Sequence, residues 1–203
     1  MKKYDNKKEE ILEAATNLFA VYGYAKTTLD DIAKMLGMKK TSLYYYFESK
    51  EQLFREIITM EIHGHFAEQE KILAKKIKAS KKIEEILIEL MYFVRQRAMK
   101  YSVRLETYLE FGRIIRTQFP ELRARQLELL KKLIEEGIKN GEFKKVNAHN
   151  LAEDLDELVL AMINNAYIVS GETFIRNVKF EPIVKKIKRV IKYVLEGIKI
   201  NKG

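Results

Sequence analysis

Two short amphipathic segments separated by one glycine, within residues 28–47, restrict how this chain can fold. Thr28-Leu29-Asp30-Asp31 places a hydroxyl at a helix N-cap and a carboxylate three residues later, as in a capping box. Gly37 can take the left-handed conformation that stops a helix. Between them the apolar residues follow the spacing of one helix face: Leu29, Ile32, Ala33 and Leu36.

A second short helix is predicted from about Lys39 to Phe47, rich in Lys, Thr, Ser and Tyr. Ser49-Lys50-Glu51-Gln52 is a second capping box and opens a third helix. Two short helices across a tight glycine turn are typical of a helix-turn-helix, which places side chains in the DNA major groove.

The composition favours an all-α chain with a packed core. The 203 residues include only two prolines and nine glycines, and 47% are hydrophobic. The absence of cysteine excludes a disulfide framework, a Cys-based zinc site and a thiol nucleophile. No apolar segment follows the first lysines, and the longest apolar run, residues 158–163, is far shorter than the roughly 20 residues of a membrane span. We therefore expect a soluble, cytoplasmic protein with no membrane partner.

The net charge of +9 fits an anionic partner, but its distribution limits that argument. Residues 1–55 carry ten Lys or Arg and eight Asp or Glu, so most of the excess lies in the rest of the chain. DNA binding must therefore depend on where individual cations stand, with Lys39, Lys40 and Lys50 around the second short helix.

The remaining sequence predicts a helical bundle, about nine helices in all. The first helix is expected over about residues 6–22, and a long helix from residue 50 into the 70s. The others are expected over about 80–100, 102–117, 120–140 and 147–170 and from Pro182 onward. We assign residues 1–50 to a DNA-binding head of three helices and residues 51–203 to a helical body for ligand binding and dimerisation.

The head resembles the N-terminal motif of the TetR/AcrR family of transcriptional regulators. The matching residues lie in one register: Gly23-Tyr24, Thr27-Thr28, Ile32-Ala33, Gly37, Leu43-Tyr44, Tyr46-Phe47, Lys50 and Leu53. The body resembles the family in helical layout, and residues 121–143 are similar to a segment found in acyl-CoA-responsive members. Two positions depart from the family pattern, Lys39 where Ser is frequent and Thr41 where a small residue is frequent.

The resemblance implies a homodimer that binds a palindromic operator in double-stranded DNA and leaves it when a small molecule enters the body. It implies no cofactor. The departures at Lys39 and Thr41 lie where a recognition helix meets bases, so they bear on the operator sequence. Losing a Ser cap at residue 39 would cost about 0.5–2 kcal/mol.

Leu43 and Phe47 are four residues apart and should face the head core, which leaves the opposite face of the recognition helix for DNA. We expect base contacts there from Lys40 to guanine and from Thr41 or a tyrosine edge to a thymine methyl. Tyr46 is as consistent with a half-buried aromatic seam as with DNA. The DNA-contact candidates are Thr28, Lys39, Lys40, Thr41, Ser42, Tyr44, Tyr45, Tyr46 and Lys50, with Thr28, Ser42, Tyr46 and Lys50 assigned to phosphates.

The last two long helices are the candidates for the dimer contact. Each carries an apolar stripe, which a core within one chain would also produce. The need to reach half-sites about 34–36 Å apart favours a dimer. The stripes are Leu151, Leu155, Leu158, Val159 and Met162 on one helix and Ile183, Ile187, Val190, Val194 and Ile198 on the other.

Large and polar residues of the central helices are candidates for an effector pocket, although aromatic residues at helical spacing more often form core. The candidates are Tyr92, Phe93, Arg104, Tyr108, Phe111, Met162, Asn164, Asn165 and Tyr167. We expect a hydrophobic effector. Two lysine clusters, at 71–82 and 179–192, could instead receive an anionic compound such as an acyl-CoA, or simply be solvated helix faces.

Three other functions compete with a ligand-responsive repressor. An enzyme is disfavoured because His63 and His65 point away from each other on a helix, and no metal triad, phosphate loop or nucleophile–base pair is visible. A non-specific DNA-binding protein is disfavoured by the nearly neutral head. An activator of the same fold is not separated from a repressor by sequence.

Overall fold

Helices make up almost all of the chain in the computed structural model, which describes the backbone of residues 2–200 and the side chains of residues 4–200. Within that range lie nine α-helices and one short 3₁₀ helix, Ile175–Asn177, so the predicted all-α fold is confirmed. The helices are α1 (Lys2–Tyr22), α2 (Leu29–Met35), α3 (Lys40–Tyr44), α4 (Lys50–Leu73), α5 (Ala79–Tyr101), α6 (Leu105–Gln118), α7 (Pro120–Lys139), α8 (Ala148–Val169) and α9 (Phe180–Ile198).

The recognition helix α3 is shorter than the prediction of residues 39–47. Lys39 is its N-cap and supplies no side-chain hydrogen bond, and the helix ends at Tyr44. Tyr45 and Tyr46 therefore follow the helix in a turn. A helix of five residues without a side-chain cap is weak by itself, so its position depends on the two residues that anchor it.

Two boundaries in the body also differ from the prediction. α5 begins at Ala79, one residue earlier than predicted, with Lys78 as its N-cap, and the Ser80 hydroxyl donates to the Glu142 carboxylate. Ser102 has a φ of 52° and ends α5 in the left-handed conformation, so α6 begins three residues later than expected, at Leu105.

The head core is built around fully buried residues of α1 to α4. It also includes Phe119, which precedes α7, and Phe111 of α6 packs against it. The core of the head thus continues beyond residue 50 into the body, and the boundary after residue 50 remains a prediction. The most deeply buried members are Ile11, Ala15, Ile32, Leu43, Phe47 and Leu53.

A single carboxylate on α6 joins the body to the loop after α1. Glu110 accepts hydrogen bonds from the backbone amides of Tyr24 at 3.1 Å and Ala25 at 3.0 Å. Gly23 has a φ of +89°, and a Cβ at this position would lie 2.5 Å from the Glu110 carboxylate. The left-handed backbone favours glycine here, and any larger residue would also displace the Glu110 carboxylate.

The long helix α4 begins in the head and ends in the body. Ser49 caps it by accepting from the Gln52 amide at 3.1 Å. Gln52 Oε1 accepts from the amide of Glu48 at 2.7 Å, one residue before the partner that a capping box would use. A helix of 24 residues is about 36 Å long, so α4 can carry motion from one part to the other.

Buried polar side chains attach α4 to α5 and α7. His65 Nδ1 contacts the Glu89 carboxylate. On its other side, His65 Nε2 lies 3.2 Å from Gln69 Nε2, which donates to Gln126 Oε1 at 2.7 Å. We call these four side chains the polar layer. Because His65 and Gln69 are almost inaccessible to solvent, the layer must satisfy its own hydrogen bonds.

The body core packs α5, α7, α8 and α9 around one apolar cluster. Leu155, Val159 and Ile187, from the two stripes predicted for dimerisation, are buried within it. Its most deeply buried aliphatic residues also include Ile83, Ile86, Met91, Leu130 and Ile191.

Two helical glycines should respond oppositely to alanine. A Cβ at Gly137 would lie 2.2 Å from the Phe143 ring, whereas a Cβ at Gly112 meets nothing within 4 Å. We expect Gly137→Ala to lower the free energy of unfolding by about 1–3 kcal/mol through overpacking. Gly112→Ala should raise it by about 0.5–1 kcal/mol because alanine favours a helix. Urea unfolding measures both, and equal effects would contradict the packing described here.

Candidate nucleic-acid interface

The helix α2 starts in a complete capping box. The Asp31 amide donates to Thr28 Oγ1 at 3.2 Å, and the Thr28 amide donates to Asp31 Oδ2 at 2.9 Å. The Thr28 hydroxyl also donates to the same carboxylate at 2.6 Å. These hydrogen bonds from Thr28 lower the pKa of Asp31. Thr28 is exposed, so it remains a phosphate candidate in addition to its capping role.

A glycine turn and two anchors orient α3. Gly37 has a φ of +61° in the turn after α2. Leu43 and Phe47 are both fully buried, as predicted from their spacing. The opposite side of this segment is open to solvent. It presents the candidate residues Lys39, Lys40, Thr41, Ser42, Tyr44 and Tyr45.

Lys40 is paired with an acidic residue of α2. Its Nζ lies 2.8 Å from Asp30 Oδ2, and this hydrogen bond raises the pKa of Lys40. Both side chains are half exposed. A guanine would therefore have to share the Lys40 ammonium with Asp30 or displace Asp30 from it. Lys39 is exposed, and within residues 4–200 it forms no ion pair, so it is the readier cation.

Lys50 is engaged in the loop between α1 and α2. Its ammonium donates to the carbonyl oxygens of Tyr24 at 3.0 Å and Thr27 at 3.1 Å. It also lies 4.3 Å from the centre of the Tyr24 ring. Burial, aided by the hydrogen bond to Glu51, raises the pKa of that phenol to about 12. A phosphate contacted by Lys50, as predicted, would therefore share the ammonium with these two carbonyl groups.

Three tyrosines meet beside the end of α3. Tyr46 is half buried and stacks on Tyr4 of α1, with ring centres 4.8 Å apart. Tyr45, which is 74% exposed, meets both rings edge-on. Tyr46 thus belongs to an aromatic seam, one of the two alternatives left open by the sequence. Tyr4 was missed at the level of sequence because it stands 41 residues before Tyr45 and belongs to no local pattern with α3.

The nine pocket candidates do not gather around one cavity in the described chain. Tyr108, Asn164 and Tyr167 do meet, and the Tyr108 hydroxyl donates to Asn164 at 3.0 Å. The others lie on different helix faces, so helical spacing alone could not group them. Phe111 packs against the head core, Phe93 packs on His65, and Tyr92 packs on Phe180. Arg104 lies at the head–body junction, Met162 borders the body core, and Asn165 is exposed.

Two open grooves flank the helices that connect head and body. One, of about 390 Å³, lies between the end of α1 and the start of α6 and is lined by Arg104 and Glu110. The other, of about 220 Å³, lies between α4 and α7 and reaches Gln69 of the polar layer. The first groove borders Glu110, which accepts from the loop after α1, and the second borders Gln69, which joins α4 to α7.

Lysines of the 71–82 cluster pair with neighbouring glutamates, such as Lys75 with Glu85 at 2.7 Å. This agrees with the solvated-face alternative for that cluster. Among the described residues, no three acidic or histidine side chains form a metal-binding group, and no helix is long and apolar enough to cross a membrane.

The cap at Thr28 can be tested by conservative substitution. Thr28→Ala should lower the free energy of unfolding by about 0.5–2 kcal/mol because an amide of α2 loses its acceptor. Thr28→Ser keeps the hydroxyl and should stay close to the parent protein. Thermal and urea unfolding measure the difference, and equal stability of the two variants would contradict a capping role.

Comparison with known proteins places this arrangement among transcriptional regulators. Residues 11–57 match the family model described as bacterial regulatory proteins, tetR family. A transcriptional regulator from Cytophaga hutchinsonii is 30% identical, with a TM-score of 0.69, over 96% of this chain and 99% of that one.

Two further matches extend over most of the chain. The negative transcriptional regulator IcaR of the biofilm operon icaADBC from Staphylococcus aureus is 28% identical, over 79% of this chain and 82% of IcaR. A protein from Saccharomonospora viridis, solved in complex with choline, has the same fold at 22% identity and a TM-score of 0.67, over 97% of this chain and 100% of that one. The Cytophaga protein and IcaR are regulators, in agreement with the prediction that the chain is not an enzyme. The chain belongs to the TetR/AcrR family of transcriptional regulators.

Proposed function

We propose that this regulator is a repressor that binds a palindromic operator as a homodimer, with one α3 in each half-site. The observation that carries the proposal is the solvent-exposed side of α3, whose opposite side is anchored in the head core by buried Leu43 and Phe47. A short helix anchored in this way is rigid enough to present side chains to base edges. Repression is supported by the 28% identity to IcaR, which is described as a negative regulator.

The candidate residues divide into two groups by chemistry. Lys39, Lys40, Thr41, Tyr44 and Tyr45 are the proposed base readers, through guanine acceptors and thymine methyl groups. Phosphate contacts are proposed for Thr28, Ser42, Tyr46 and Lys50, which fix the register on the duplex. Lys50 would add one free N–H to the two that hold the loop.

Self-association through α8 and α9 is supported by side chains that the chain's own core leaves uncovered. Ala161 and Ile168 of α8 are exposed in line with Asp154 and Asn165, at helical spacing. On α9, Tyr193 is 63% exposed. A second copy would cover these faces around a two-fold axis, and the same axis would relate the two heads to a palindrome.

A small hydrophobic or acyl-CoA-like effector is proposed to release the DNA. Tyr167 supports a site near the meeting point of Tyr108 and Asn164, because its buried hydroxyl has no hydrogen-bond partner among the described residues. Burial raises the pKa of this phenol to about 12, so it would meet an effector as a neutral donor. The choline complex of a protein with this fold gives general support for ligand binding.

The effect of an effector would reach the head through α4 and α6. Movement of α4 would alter the hydrogen bonds of the polar layer. Movement of α6 would alter the two hydrogen bonds that backbone amides donate to Glu110. An effector releases DNA only if it binds the DNA-incompetent arrangement more tightly than the competent one. An activator with the same contacts is the alternative, and it is decided by where the operator lies relative to the promoter.

Selection of duplexes from a random pool by the purified protein tests the proposal. We expect an enriched motif with two-fold symmetry, half-sites about 34–36 Å apart, and a preference over shuffled DNA of at least about 10³. Placing the motif across a reporter promoter then separates repression from activation. Equal binding of enriched and shuffled duplexes would leave only a non-specific DNA-binding protein.

Tyr45→Ala should weaken binding to the enriched duplex by about tenfold, the scale of one lost base contact. Binding to shuffled DNA should hardly change, since it depends on phosphate neutralisation. Tyr22→Ala is the matched control, because Tyr22 is also exposed but stands at the far end of α1. Fluorescence anisotropy measures all three proteins, and equal losses for both variants would contradict base reading by Tyr45.

Asp30→Asn should strengthen DNA binding by about two- to fivefold, the scale of one exposed ion pair, because the Asp30 carboxylate no longer competes with DNA for the Lys40 ammonium. If the freed ammonium meets a phosphate, the slope of log affinity against log salt steepens by about 0.9. Glu135→Gln removes the same charge from an exposed position on α7 and should leave both quantities unchanged. Weaker binding by Asp30→Asn would mean that the pair positions Lys40 for DNA.

A further inference from the structure

We propose that Tyr4, at the start of α1, is a positioning residue for base recognition, acting through Tyr45. The proposal rests on the function proposed above and adds a residue that lies outside the matched segment 11–57. Tyr4 is neither in α3 nor near it in sequence. It joins the DNA-reading surface only because the first turn of α1 passes beside the end of α3.

The need for such a residue follows from the shortness of α3. Tyr45 comes one residue after the helix ends and is 74% exposed, so the helix itself does not restrict its side chain. A free aromatic side chain loses rotamer entropy when it is fixed against a base. A residue that fixes the ring before DNA arrives reduces this loss.

The geometry of the three rings supplies this restraint. Tyr4 stacks on Tyr46 with an interplanar angle of 25° and ring centres 4.8 Å apart. Tyr45 stands nearly perpendicular to both, at 81° and 5.7 Å from Tyr4 and at 87° and 5.3 Å from Tyr46. Offset stacking and edge-to-face contact are the favoured arrangements of aromatic pairs. The Tyr4–Tyr46 stack therefore forms a wall against which the Tyr45 ring is held.

Without the Tyr4–Tyr46 stack, the protein should lose affinity only for DNA in which Tyr45 reads a base. We expect Tyr4→Ala to weaken binding to the enriched duplex by about two- to tenfold, the scale of one newly ordered side chain. Discrimination at the base pair read by Tyr45 should fall, whereas binding to shuffled DNA should not change. Tyr4→Phe keeps the stack and should behave as the parent protein.

A double-mutant cycle tests whether Tyr4 acts through Tyr45. In the Tyr45→Ala background, Tyr4→Ala should have almost no further effect, because the ring that it positions is gone. Additive losses of affinity would overturn the proposal. A loss in Tyr4→Phe equal to that in Tyr4→Ala would also overturn it and would indicate a direct contact by the Tyr4 hydroxyl. Unchanged DNA binding by Tyr4→Ala would overturn it as well.

Two controls separate this inference from other failures. Tyr22→Ala removes an exposed tyrosine about 27 Å further along the same helix and should leave discrimination intact. If Tyr4→Ala unfolds at a lower temperature than the parent, Tyr4→Leu keeps apolar bulk without the ring and should still lose discrimination. A parent protein that does not prefer its enriched duplex would refute the proposed function itself. Unchanged discrimination at the base pair read by Tyr45 in both Tyr4→Ala and Tyr4→Leu would refute only the role of Tyr4.

Discussion

Two backbone amides after α1 donate to the Glu110 carboxylate of α6, and this contact fixes the loop between α1 and α2 against the body. The same loop is held from the other side by Lys50, whose ammonium bonds two carbonyl groups of residues 24 and 27. The loop thus binds an anion at its amides and a cation at its carbonyls. Because α6 and α4 supply these charges, a shift of either helix changes the position of α1 and α2.

The surface proposed to read DNA carries little free positive charge. Lys40 is balanced by Asp30 and Lys50 by carbonyl groups, which leaves Lys39 as the readiest cation beside α3. Under the proposed function, such a surface would gain little from phosphates in general, and its discrimination would come from base contacts by Lys, Thr and Tyr side chains. This agrees with the nearly neutral charge of residues 1–55.

The sequence was sufficient for local structure and insufficient for contacts between distant segments. The capping box at Thr28 and the burial of Leu43 and Phe47 follow from spacing within a few residues, and both are present. The length of α3 was overestimated because the apolar spacing runs on to Phe47, whereas the helix ends at Tyr44 and residues 45 and 46 form a turn.

Long-range partners could not be derived in this way. Asp30 beside Lys40, Glu110 beside Tyr24 and Tyr4 beside Tyr46 are brought together by tertiary packing. The pocket candidates show the same limit, since their large side chains were chosen by type and their helix faces are set by neighbours. Domain limits are affected too, because Phe119 contributes to the head core from the start of α7.

The polar layer between α4, α5 and α7 has a direction. Gln69 Nε2 donates to Gln126 and also faces His65 Nε2, which must then be the unprotonated nitrogen, with the proton on Nδ1 beside Glu89. Each amide of the layer is thereby fixed in one orientation. Turning either one over would set donor against donor or acceptor against acceptor beside buried His65 and Gln69.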